Sequence, residues 1–137
     1  MTSEAAGFRE LPHTADWALE AWAPDLMGLF EQAARGMYAL MQARLRNEPR
    51  DNYRFELSAP DPETLLVAFL SELLYFTQND NIGFDAYNLA FRGKTLLAAV
   101  EGAPLESIAK EIKAVTYHNL AVRETERGRE ATIVFDV

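Results

Sequence analysis

Lys113-Ala114-Val115-Thr116-Tyr117-His118-Asn119-Leu120 gathers a cation, a hydroxyl, a phenol, an imidazole and an amide into one short run. Val115, Thr116, Tyr117 and Val122 favour a strand, yet a strand that only packs has no need of so many reactive groups. Two other stretches carry groups of a complementary kind. His13-Thr14-Ala15-Asp16 lies near the start, and Phe135-Asp136-Val137 closes the sequence. The fold is expected to bring the three together.

The elements that must position them are legible from period and punctuation. Phe8 to Leu11 reads as a short strand stopped by Pro12. Trp17 to Trp22 alternates, with Trp17, Leu19 and Ala21 on one face and Ala18, Glu20 and Trp22 on the other, so Asp16 points away from the main core. Asp25 caps a helix whose apolar residues Leu26, Phe30, Ala33, Met37, Leu40 and Met41 recur at helical spacing to about Leu45. A loop around Pro49 leads to a strand from Asn52 to Ser58, with Tyr53, Phe55 and Leu57 inward. Asp61 and Pro62 then start a second helix, from Pro62 to about Thr77. Leu65, Leu66, Val67, Ala68, Phe69, Leu70, Leu73, Leu74 and Phe76 cover most of its circumference, so it is expected to be the most buried element.

Phe84–Arg92 and Thr95–Glu101 predict a hairpin around Gly93-Lys94, with a bulge where the apolar phase shifts between Ala86 and Tyr87. Residues 102–112 read as connecting structure. Ile112 to Glu124 and Arg129 to Val137 predict a second hairpin turning near Gly128. Strands outnumber helices and come in hairpins, so the fold class is α+β, mainly antiparallel β-sheet with two principal helices over one face.

Parity within that second hairpin assigns the chemistry. A loop of Arg127-Gly128 sets Leu120 opposite Phe135, Val122 opposite Ile133 and Asn119 opposite Asp136, since paired residues share a face. Lys113 then falls on the Asp136 side, and a bulge would reverse this. His118 turns inward, where a packed core histidine is favoured over a metal ligand. Taken singly, Lys113 reads as an edge-strand lysine and Asp136 as a surface carboxylate.

Totals restrict the classes. The chain has 137 residues, 49% of them hydrophobic, which suits one domain over residues 8–137 behind a flexible lead-in at 1–7. Cysteine is absent, which removes disulfides, thiolate metal sites and cysteine nucleophiles. The longest apolar run, Leu65 to Leu70, is far short of the ~20 residues a bilayer requires, and Met1 to Gly7 lacks the features of a signal peptide. A cytoplasmic protein without membrane contact is expected. The net charge of −8 argues against a direct grip on nucleic acid, whose binders present basic surface.

Five stretches in order carry a resemblance. His13-Thr14-Ala15-Asp16, Phe30-Glu31-Gln32-Ala33-Ala34, Leu65-Leu66-Val67 through Glu72-Leu73-Leu74-Tyr75, Lys113 to His118, and Val134-Phe135-Asp136-Val137 are similar to the archease family across nearly the whole chain. Lys-Ala-Val-Thr-Tyr-His is the most specific part. The resemblance implies an accessory protein, itself not an enzyme, of an RtcB-type RNA ligase. That ligase joins 2′,3′-cyclic-phosphate or 3′-phosphate ends to 5′-hydroxyl ends in tRNA splicing and RNA repair, using GTP and divalent metal. The accessory protein promotes guanylylation of the ligase and multiple turnover. On matching positions Asp16, Lys113 and Asp136 take the functional roles, with a divalent metal ion between acidic residues, and His13, Thr116 and His118 standing behind them. The chemistry of the residues agrees: Asp16 and Asp136, with the α-carboxylate of Val137 near one of them, are expected to hold the ion. Such an oxygen-donor set suits Ca²⁺, Mg²⁺ or Mn²⁺. Two other readings use the same residues. One is a free-standing metal-dependent phosphoester hydrolase built on His13, Asp16, Lys113, His118 and Asp136. The other is a structural interaction domain. Neither a histidine pair at helical spacing nor a glycine-rich phosphate loop supports the hydrolase. The oligomeric state is left open.

Overall fold

Acidic caps start both helices. In the computed structural model, which describes residues 5–11 and 16–137, Asp25 accepts the Gly28 amide at 2.8 Å and opens α1 (Leu26–Leu40). Asp61 accepts the Thr64 amide at 2.7 Å and opens α2 (Pro62–Asp80). Each carboxylate satisfies one of the N–H groups that a helix leaves unpaired at its start. The Thr64 bond also holds the Asp61 carboxyl below the ordinary carboxylate range. Residues 1–4 and 12–15, which include most of the expected lead-in and His13-Thr14-Ala15, lie outside the described residues.

Among the described residues nine strands accompany the helices: β1 (Gly7–Leu11), β2 (Trp17–Ala23), β3 (Arg44–Leu45), β4 (Asp51–Ser58), β5 (Ile82–Arg92), β6 (Thr95–Ser107), β7 (Ala114–Val115), β8 (Arg123–Thr125) and β9 (Gly128–Asp136). Every pairing is antiparallel, and the strands form two sheets. One runs β1-β2-β9-β7, with β8 also on β9; the other is centred on β6, which bonds β4, β5 and β3. The architecture is α+β, as the pattern of hairpins predicts. α1 packs on β1, β2 and β9 and also on β5, while α2 packs on β4, β5 and β7. Between them Phe30 and Phe69 stack at 5.6 Å, and Leu19, Leu66, Leu70, Leu96, Ile112 and Phe135 close around them with no more than traces of exposure.

Four expectations are corrected. The first concerns burial: α1 buries eight of its 15 residues and α2 eight of its 19, so α1 is the more enclosed helix. Small residues allow this. A Cβ on Gly36 would stand 2.5 Å from Leu19 Cδ2, so a larger residue would displace the Leu19 side chain, and glycine lets α1 lie close to β2. The last turn of α2, by contrast, reaches solvent at Gln78, Asn79 and Asp80.

The second concerns the end of α1. It stops at Met41, Gln42 turns left-handed at φ 51°, and Arg44–Leu45 pairs with β6. Leu45 keeps helical spacing after Met41, but its side chain lies over Gly83 beside Leu105.

The third concerns residues 102–107, which extend β6 rather than connect. Gly102 and Pro104 disguise the strand. Gly102 stands opposite Phe84, where a Cβ would fall 1.9 Å from the Gly83 carbonyl oxygen, and Pro104 pairs Ile82 at the end of the ladder. The bulge expected at Ala86–Tyr87 lies between Phe84 and Ala86. Its extra residue, Asp85, receives both terminal nitrogens of Arg50 at 2.6 and 3.1 Å.

The fourth concerns the second hairpin. The turn is Glu126-Arg127, because Thr125 pairs Gly128, and β8 continues to Arg123 opposite Glu130. At the far end Val115 pairs Phe135 and Ala114 pairs Asp136. Between those two points the β7–β8 side spans three residues more than β9 does, so Leu120 does not face Phe135 and Val122 does not face Ile133. No described helix is long and apolar enough to cross a membrane.

Candidate functional site

Asp136 ends β9 between two neighbouring strands. On one side β2 begins with Trp17 opposite Phe135, so the register carried one step further sets Asp16 opposite Asp136. On the other side Ala114 is the register partner of Asp136, and the Lys113 amide donates to the Asp136 carbonyl oxygen at 2.8 Å. Three residues from three distant parts of the sequence therefore lie at the same end of one sheet. Asp16 is half-buried, and Asp136 and Lys113 are exposed. Among the described residues neither Lys113 nor Asp136 takes part in an ion pair, the pair they could make with each other included. The acids further along the sheet differ. Glu20 meets Arg9 at 2.8 Å, and Glu130 meets Arg127, whose guanidinium lies 4.3 Å from the centre of the Trp22 ring.

The run from Thr116 to Val122 leaves the ladder through side-chain bonds. Thr116 gives both its amide and its hydroxyl to the Val134 carbonyl, at 3.0 and 2.9 Å. The same hydroxyl oxygen accepts the His118 amide at 3.3 Å. A turn follows, closed by the Leu120 amide on the Tyr117 carbonyl, with Asn119 left-handed at φ 51°. Asparagine tolerates that conformation better than most residues. The turn exposes His118, whose ring faces Asn119 Nδ2 at 3.3 Å, and leaves Tyr117 58% exposed. The inward histidine that parity predicts is thus overturned, and so is the shared parity of Lys113 and Asp136, because Ala114 takes the register position opposite Asp136. The three surplus residues break the alternation on which that parity depends.

Val137 is half-buried and packs against the core. His13 lies outside the described residues. Lys110 places its ammonium 5.8 Å from the ring centre of Trp17, the residue that follows Asp16. Among the described residues no group of three or more His, Cys, Asp or Glu side chains converges as a metal cluster. Asp16 and Asp136 offer two oxygen-donor side chains and no sulfur, a set suited to a hard cation that keeps water in its shell.

Two contacts escape a strand-by-strand reading. Glu63 Oε2 accepts the Val122 amide at 2.8 Å, and Gln78 Nε2 donates to the Ile112 carbonyl at 3.2 Å. The signal for them is helical. Glu63 and Gln78 are separated by about four turns of α2, so they share a flank.

The sequence of residues 8–137 matches the model of the archease protein family (MTH1598/TM1083). Protein archease of Methanosarcina barkeri is 33% identical over an alignment covering 100% of both chains. That of Thermococcus gammatolerans is 30% identical, covering 85% of this chain and 88% of its own. Two solved structures share the fold. The solution structure of Methanobacterium thermoautotrophicum protein 1598 aligns with a TM-score of 0.71 at 24% identity, over 96% of this chain and 99% of that one. The crystal structure of an archease, possible chaperone, from Thermotoga maritima aligns with a TM-score of 0.71 at 20% identity, over 94% and 96%. With its sequence matched from the first strand to the last residue, the chain belongs to the archease family.

Proposed function

We propose that this chain is a non-enzymatic accessory protein that activates an RtcB-type RNA ligase in the cytoplasm. It promotes guanylylation of the ligase and repeated turnover in tRNA splicing and RNA repair. The observation that carries the reading is the end of β9. There Lys113 and Asp136 are joined through their backbones, and both charges are exposed and unspent on each other. Asp16 stands one register step beyond Trp17 on the adjacent strand. Family membership supports it, and so does the net charge of −8, which suits a protein partner better than RNA.

In this reading the ammonium of Lys113 offers N–H donors to a phosphate of the ligase's guanylate, an anion it meets as a point charge. Thr116 fixes the backbone that follows Lys113 to β9. Asp16 and Asp136 hold a divalent cation, calcium, magnesium or manganese, with water and the partner completing its shell. The repulsion between the two carboxylates would be offset by a cation held there, leaving Lys113 for the partner.

The test is a guanylylation and ligation assay with an RtcB-type ligase, with and without this chain. Multiple turnover that depends on the chain is expected, together with no tight, salt-sensitive RNA binding by the chain alone. Phosphoester hydrolysis by the isolated chain would replace this reading with an enzymatic one.

A further inference from the structure

Residues 112–122 form a strap between β9 and α2. β9 grips only its first half, through the Lys113 amide on Asp136 and the amide and hydroxyl of Thr116 on Val134. The regular ladder resumes at Arg123. The slack between these points is the three surplus residues, and a ladder with slack does not fix its own register. A slip of one residue would turn each side chain to the opposite face. Something outside the sheet must therefore set how much of the chain lies on each side of the Tyr117–Leu120 turn.

α2 supplies it at both ends. Ile112 is fully buried, and Gln78 binds its carbonyl at 3.2 Å. Val122 is half-buried, and its amide meets the Glu63 carboxylate at 2.8 Å. The second contact joins residues 59 positions apart and is charge-assisted, the stronger kind of hydrogen bond. Glu63 also stands in the first turn of α2, where a carboxylate is favourable.

We infer that Glu63 and Gln78 are positioning residues, which lock the two ends of the strap to α2 and so hold Lys113 in place beside Asp136. The inference rests on the proposed role of Lys113 and Asp136, but the clamp itself can be measured without any ligase. The experiment pairs amide hydrogen exchange on the isolated protein with the guanylylation assay, for Glu63→Ala, Glu63→Gln and Gln78→Ala.

In Glu63→Ala, exchange at Thr116, Leu120 and Val122 should accelerate about tenfold or more while amides of β4 and β6 keep their protection, because the opening is local. Activation should fall by a similar factor. Glu63→Gln keeps an oxygen that accepts the Val122 amide, so it should recover most of both losses. Gln78→Ala leaves the first turn of α2 untouched and should reproduce the strap-specific exchange in milder form. Unchanged strap exchange in Glu63→Ala overturns the clamp. So does a Glu63→Gln variant as impaired as Glu63→Ala, since the charge at the helix end would then be the cause. Faster strap exchange with full activation overturns the positioning role. A wild-type chain that activates no ligase defeats the proposed function instead, and the exchange result still judges the clamp.

Discussion

The two sides of this fold treat their strands differently. In the sheet around β6, the run from Thr95 to Gly102 is bonded on one side to β4 without interruption and on the other to β5 with a single bulge. On the β9 side, what the sequence offers as one strand is divided into Ala114–Val115 and Arg123–Thr125, with the densest group of reactive side chains in the gap. Where side chains only have to pack, the backbone follows the ladder. At the candidate site the ladder is given up, and side-chain bonds from Thr116, Glu63 and Gln78 replace it. Stability and function should accordingly respond to different substitutions.

The largest effect on stability is expected in the core. Leu70 has no exposure, and Leu70→Ala should cost ~2–5 kcal/mol in denaturant unfolding. Activation at low temperature should fall only as far as the folded fraction does. Gly102→Ala should cost ~1–3 kcal/mol or more, because its Cβ has only the rigid Gly83 carbonyl to displace. A neutral result for either would mean that the β6 side is no more constrained than the strap.

Alkaline pH should weaken the same region. The Tyr53 hydroxyl donates to Asp80 at 2.6 Å, and that bond, with partial burial, pushes its pKa up to about 12. The folded state therefore prefers the protonated phenol. Its contribution is complete below pH ~10, the unfolded value, and is lost as pH rises through about 12. Tyr53→Phe should flatten the decline of stability between those limits in unfolding titrations.

The smallest stability effects belong to the site. His118→Ala and Lys113→Ala alter exposed side chains and should leave the thermal midpoint within ordinary surface scatter. Lys113→Ala should nevertheless abolish activation. A large midpoint shift for His118→Ala would show that it packs, as strand parity implies.

Legibility followed the same division. Asp25 and Asp61 announced both helices, the alternation of Tyr53, Phe55 and Leu57 announced β4, and Gly93-Lys94 announced the β5–β6 turn, each because a local rule decided the local structure. Leu45 misled because one apolar residue at helical spacing cannot reveal that the chain has already turned at Gln42. Gly102 and Pro104 read as breaks, although the close approach of Gly83 makes glycine necessary within the strand. At the candidate site the sequence shows the residue types and not their geometry. The register of residues 112–122 depends on contacts with α2 that no period within the segment encodes. His118 was misplaced for that reason, whereas the Lys113–Asp136 contact arises through a backbone bond rather than the parity used to expect it.

Guanylylation of an RtcB-type ligase would be followed over many turnovers alone, with this chain, and with its Lys113→Ala, Asp16→Ala and Asp136→Ala variants, each shown to be folded. Sustained turnover is expected with the unmodified chain, and a single round, or less, with every variant. Equal turnover with and without the chain, or full activation by the Lys113→Ala variant, would rule out activation through Lys113, Asp16 and Asp136.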